Sequence, residues 1–150
     1  MHLTSLDAKI TDHRQKEVIV ERRTVNPWSW QDNFGFSQAI EVSGAQRTIF
    51  CAGQASTDDE GKPVHLNDMR GQIDQAMDNL ETVLRESGAG VSDVVRLNYY
   101  TTDVDLLLEA YDALLDRLGE AGCQPASTLV GVASLAFPEL LVEIEATAIA

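Results

Sequence analysis

Residues 68–101, DMRGQIDQAMDNLETVLRESGAGVSDVVRLNYYT, change their apolar period part-way along. Met69, Ile73, Ala76, Met77, Leu80, Val83 and Leu84 recur at steps of three and four, which places them on one face of a helix over 68–87. Asn67 or Asp68 can cap its start, and Gly88-Ala89-Gly90 supplies its stop. Residues 93–101 are rich in β-branched and aromatic side chains and read as a strand.

Toward the C-terminus, a second helix is expected over about 104–119, with Leu107, Ala110, Tyr111, Leu114, Leu115 and Leu118 as its apolar stripe. Thr102 with Asp105 resembles a capping box. Residues 127–135 and 140–148 read as two further strands. Toward the N-terminus, 56–67 is loop by composition. Residues 36–43 and 46–55 read as strands joined in a hairpin at Ser43-Gly44-Ala45. Residues 17–25 form one more strand, broken by Asn26-Pro27. Residues 1–16 are expected to be a flexible arm and 17–150 a single domain.

The order β-β-β-α-β-α-β-β predicts an α+β fold: one mixed sheet with two helices on one face. Two helices cannot cover both faces of so large a sheet, so the bare face calls for self-association.

Hydrophobic residues make up 44% of the 150 and charged residues 23%, and no apolar run approaches the roughly 20 residues of a membrane span. Against 24 acidic residues stand 11 basic ones, a net charge of −13 that repels nucleic-acid phosphates and anionic membranes. No nucleic-acid or membrane partner is therefore expected. After Arg117 there is no Lys or Arg at all.

Cys51 and Cys123 form no CxxC pair and read as free thiols of a reducing cytoplasm, without a His-Asp arrangement to make either a nucleophile. His2, His13 and His65 have no metal-ligand spacing, and neither a phosphate-cradling glycine loop nor a dinucleotide fingerprint is present. No metal and no cofactor are expected.

A spaced set of residues over about 34–149 resembles the RidA/YjgF family, also called L-PSP. It comprises Phe36-Ser37-Gln38-Ala39-Ile40, Ala52-Gly53-Gln54, Gly61, Gln72, Asn79-Leu80, Gly88, Asp93-Val94-Val95, Asp103, Tyr111, Pro125-Ala126-Ser127-Thr128 and Glu143-Ile144-Glu145-Ala146. The resemblance implies a chorismate-mutase-like fold, a homotrimer, and small-molecule sites in clefts between subunits. It also implies hydrolysis of reactive imines and enamines, such as those released from amino acids, to a keto acid and ammonia.

In such sites an arginine directly after the Pro-Ala pair grips the substrate carboxylate with a bidentate fork. Here that position is Ser127, with no basic residue downstream to replace it. Phe36 stands where a tyrosine is usual, Ala52 where a serine is usual, and Leu129 where a cysteine is common. Glu143 remains as the water-positioning catalytic carboxylate, or else as a solvated strand glutamate; Glu145 shares its face.

Phe36, Ala52, Gly53, Ser127 and Thr128 are the candidate ligand contacts, with Ser127 and Thr128 otherwise bonding neighbouring backbone. Arg96 is a candidate substitute grip or a surface cation. Trp28, with Trp30 nearby, is a candidate cleft wall or plain packing. The expected function is an enamine/imine deaminase of altered specificity, inefficient on simple 2-imino acids. The alternatives are a binding protein of the same fold without turnover and, less favoured by the charge, a ribonuclease.

Overall fold

The computed structural model describes residues 19–150; the expected N-terminal arm, 1–16, and the start of the first expected strand, 17–18, lie outside the described residues. Strand β1 is Glu21–Val25, β2 Ala39–Ser43, β3 Thr48–Phe50 and β4 Gln54–Ala55. Helix α1, Met69–Glu86, leads to β5, Val94–Thr101. Then come α2 Val104–Glu109, α3 Tyr111–Glu120, β6 Ala126–Gly131 and β7 Val142–Ile149. The fold is α+β, as the element order implied.

The main sheet runs β3-β7-β5-β6, with β4 also on β7; β5 and β6 are parallel and every other pair is antiparallel. The expected hairpin between 36–43 and 46–55 does not form. β2 instead pairs with β1, Glu21 opposite Ser43 through Val25 opposite Ala39, in a separate two-stranded sheet. The reason is a long-range competitor. Past Gly44, at φ 74°, the N–H groups of Gln46 and Arg47 both donate to the Ala150 carbonyl (3.1 and 2.9 Å), and Ala150 N–H returns a bond to Arg47 O at 3.0 Å. The C-terminus thus captures the chain as it leaves the turn.

Helix α1 begins at Asp68, whose carboxylate accepts from Gly71 N–H. It ends in a Schellman motif: Gly88 takes φ 75°, Gly88 N–H bonds Arg85 O and Ala89 N–H bonds Leu84 O. The second helical stretch is interrupted at Ala110 (φ −100°, ψ 8°), giving α2 and α3 where one helix was expected. Its cap is Asp103, accepting from Leu106 N–H at 3.0 Å, and not the Thr102–Asp105 box. Strand β6 stops at Gly131, short of residue 135, where a Cβ would stand 2.9 Å from Val104 Cγ2.

The helices cover one face of the sheet. Ile73, Met77, Leu80 and Leu84 of α1, with Leu114 and Leu118 of α3, are buried with Leu97, Tyr99, Val142 and Ile144. Each such side chain contributes on the order of 1.5–3 kcal/mol. The residues between them on the strands — Arg96, Asn98, Tyr100, Glu143, Glu145 and Thr147 — share the opposite, uncovered face. Phe50, opposite Thr147 on the edge strand β3, is 80% exposed.

Candidate functional site

Two amides on α1 fix how β4 meets β7. Gln72, fully buried, donates to His65 O (3.2 Å) and Glu139 O (2.9 Å) and accepts from Leu141 N–H at 2.8 Å. Asn79 donates to Ala55 O (2.9 Å) and Thr57 O (3.1 Å). Between these clamps Ala55 lies opposite Glu143. From Phe50–Thr147 to Gln54–Ile144, four steps on one strand match three on the other, while Cys51 N–H still reaches Ala146 O at 2.9 Å. The extra residue falls in the Ala52-Gly53 segment as a bulge, a device that re-aims chain beside functional groups.

The bulge brings Gly53 against the side chain of Glu143: a Cβ there would lie 2.8 Å from Glu143 Cδ and 2.9 Å from its Cγ, and would collide with a carboxylate oxygen. Ala52 and Gly53 are exposed and Glu143 half-buried, so the carboxylate sits at an accessible rim. Its neighbour Glu145 is spent elsewhere. One oxygen accepts from Tyr100 Oη (2.6 Å) and Asn98 Nδ2 (2.9 Å), and these bonds hold its carboxyl below the usual range. Among the described residues no such donor reaches Glu143. On the same face Arg96 Nη2 donates to Thr128 Oγ1 at 2.8 Å, so Thr128 anchors the guanidinium.

Ser127 lies elsewhere. In the parallel pairing it sits opposite Leu97, and Thr128 opposite Asn98, so successive residues of β6 face opposite sides of the sheet. Ser127 opens into a cleft of about 220 Å³ on the helix side, walled by Trp30, Phe34, Phe36, Tyr99, Tyr111, Leu108 and Leu129. Trp30 meets Phe36 edge-to-face at 5.7 Å and Phe34 at 6.3 Å, and Tyr111 meets Phe34 at 6.5 Å and Tyr99 at 6.4 Å.

The wall is pinned by polar bonds behind it. Tyr111 Oη donates to Phe34 O at 2.9 Å. Buried Ser37 donates from Oγ to Gln124 O (2.6 Å) and from N–H to Pro125 O (3.0 Å), which seats Phe36 beside the start of β6. Gly35, at φ 67°, makes the turn between them.

The candidate residues therefore fall into two groups. Glu143, Ala52, Gly53, Arg96 and Thr128 belong to the uncovered face and its rim, whereas Ser127 and Phe36 belong to the aromatic cleft. Trp28, 58% exposed, lines no part of that cleft; Trp30 does, because the 3-10 turn Trp30–Phe34 sets its ring against Phe34 and Phe36. Tyr99, Leu108 and Tyr111 complete the wall; none of them is among the sequence candidates for the site. The parity of Tyr99 with Leu97 was the signal that placed it on the covered face.

The family described as Endoribonuclease L-PSP matches residues 31–150. The chain belongs to the RidA/YjgF family. A RutC family protein of Pyrococcus abyssi is 31% identical over 133 residues, 89% of this chain and 96% of the relative. A 2-iminobutanoate/2-iminopropanoate deaminase of Dermatophagoides farinae is 29% identical over 102 residues, 67% of this chain and 74% of the relative. Among solved structures, the Rid family protein YyfB of Yersinia pestis, described as of unknown function, superposes with a TM-score of 0.77 at 39% identity, covering 86% of this chain and 98% of its own.

In this RidA/YjgF member no group of His, Cys, Asp and Glu among the described residues is placed to hold a metal ion. No helix among them is long and apolar enough to cross a membrane.

Proposed function

We propose that this protein is a Rid-type hydrolase of reactive imines or enamines, working as a homotrimer with its sites between subunits, and with a specificity moved away from small 2-imino acids. The observation that carries the reading is Glu143: a half-buried carboxylate over a glycine, without a donor among the described residues, beside a same-face glutamate that is already committed. Glu143 is thus the acceptor available to a water. The water oxygen adds to the imine carbon as Glu143 takes its proton. Return of that proton to nitrogen gives a carbinolamine; Glu143 then carries the carbinolamine's hydroxyl proton to the same nitrogen as the C–N bond breaks and the C=O bond forms, leaving a carbonyl compound and ammonia.

Glu143 and the aromatic cleft occupy opposite faces of one sheet, so one small molecule meets both only if the cleft of one subunit faces the carboxylate of the next. The uncovered sheet face, with Phe50 80% exposed, is the surface such an assembly would cover. The D. farinae relative's name, which states an imine deaminase, supports the reaction class. The net charge of −13 opposes an RNA substrate. That no cation among the described residues lines the cleft favours, as a second reading, capture of a ligand without turnover.

The test generates imines in situ with an amino-acid oxidase and follows ammonia release with and without the protein. Acceleration on bulky imines, lost in Glu143→Gln, is the expected result. No acceleration on any imine overturns the hydrolase reading and leaves the binding one. Mixing Glu143→Gln with Phe36→Ala chains tests the shared site: partial recovery is expected, and none overturns it.

A further inference from the structure

We propose that the cleft around Ser127 takes an uncharged aromatic group, so that the substrate class is an arylalkyl imine or enamine bound by its ring and not by a carboxylate. This rests on the hydrolase reading for its chemistry, but its geometry stands apart from it.

The cleft holds about 220 Å³. An apolar cavity of about 150 Å³ is enough for one benzene molecule, so a ring with a short side chain fits here. Trp30, Phe34, Phe36 and Tyr111 are set at 63–78° to their aromatic contacts, an array that offers both edges and faces to an inserted ring. Trp30 and Phe34 remain 54% and 44% exposed at its mouth, large apolar surfaces left open to solvent.

Among the described residues no charged side chain lines the cleft. A carboxylate entering it would shed water without gaining a cation, in a chain that already carries −13. A cation would meet no anion there. What the cleft offers a polar atom is the Ser127 hydroxyl, one donor without charge. Deep in the wall, Tyr99 is 1% exposed, and burial, then Tyr111 and Cys123, hold its phenol well above the ordinary range. Tyr111 Oη is committed to Phe34 O.

Calorimetric titration of the intact protein with phenylacetamide, acetamide, phenethylammonium and pyruvate tests the assignment. Phenylacetamide is expected to bind at least about tenfold tighter than the other three, from the apolar area of its ring. Ser127→Arg should reverse the order between phenylacetamide and pyruvate; Phe36→Ala, an independent variant should the first not fold, should weaken phenylacetamide alone. Tightest binding of phenethylammonium would replace the neutral ring by a cation, and equal binding of acetamide and phenylacetamide would remove the ring site. Either result overturns the proposal.

A turnover arm separates it from the hydrolase reading. A flavin amine oxidase acting on phenethylamine supplies a neutral aryl imine, and an amino-acid oxidase acting on alanine supplies a small acidic one. Ring binding without turnover of either imine keeps the cleft assignment and removes the hydrolase. Turnover of the alanine-derived imine alone keeps the hydrolase and removes the aromatic specificity.

Discussion

Gly53 and Glu143 touch: the position a Cβ would take on residue 53 is 2.8 Å from Glu143 Cδ, because the bulge after β3 turns the bare Cα toward the carboxylate. The obstruction is the end of a flexible side chain, so Gly53→Ala should cost little stability. An alanine also restricts the unfolded chain, offsetting part of the strain. The carboxylate must nonetheless swing away. The expected result is a thermal midpoint within about 2 °C of the parent, from a change of about 0.5 kcal/mol, with imine turnover lowered about tenfold or more, as loss of a positioned base implies. Differential scanning calorimetry and the ammonia assay on the same preparation check both.

The bond from Tyr100 to Glu145 predicts a pH signature. Glu145 is held below its ordinary range, first by Tyr100 and then by Asn98. A lowered folded pKa contributes stability above the unfolded carboxylate value of about 4.3 that is lost as pH falls through the folded one. Tyr100 is raised, first by the same hydrogen bond, so its contribution is present below about pH 10 and lost as pH rises through its folded value. Tyr100→Phe should therefore melt below the parent at pH 7, with the gap closing at acid pH. A gap unchanged at pH 3 would mean that the bond is not what the tyrosine supplies.

Gln72 joins three backbone groups from two segments inside the core. Gln72→Leu keeps the bulk and strands two carbonyls and an N–H. A loss of about 2–4 kcal/mol in urea unfolding is expected. Because Leu141 immediately precedes β7, the variant should also lower turnover at Glu143.

Cys123 is buried, with its thiol on Val94 O at 3.5 Å, and burial pushes its pKa up to about 11. The thiolate is the reactive form. At pH 8 iodoacetamide should label Cys123 only as fast as the protein opens, and fully in denaturant. Rapid labelling of the native protein would contradict this burial.

Local chemistry made much of this fold legible. The α1 stripe, its cap at Asp68 and its stop at Gly88 are all written within one segment, and each is found there. The hairpin failed because Gln46 and Arg47 bond a residue a hundred positions away, which no local pattern records. Glu143 and Gly53 were named from a resemblance, and their contact follows only from the bulge. The aromatic cleft was hidden for another reason. Tyr99 and Tyr111 look like core residues by periodicity, and only the seating of Trp30–Phe34 against them turns packing into a wall.

Adjacent residues of β6 answer to different neighbourhoods: Ser127 to the cleft, Thr128 to Arg96 and the carboxylate row. On the proposed reading, a backbone arranged so lets ligand choice be rewritten by a single exchange while Glu143 stays undisturbed. An engineer could therefore scan position 127, and then 129, as a dial for selectivity, with the β4–β7 clamp left as a fixed frame.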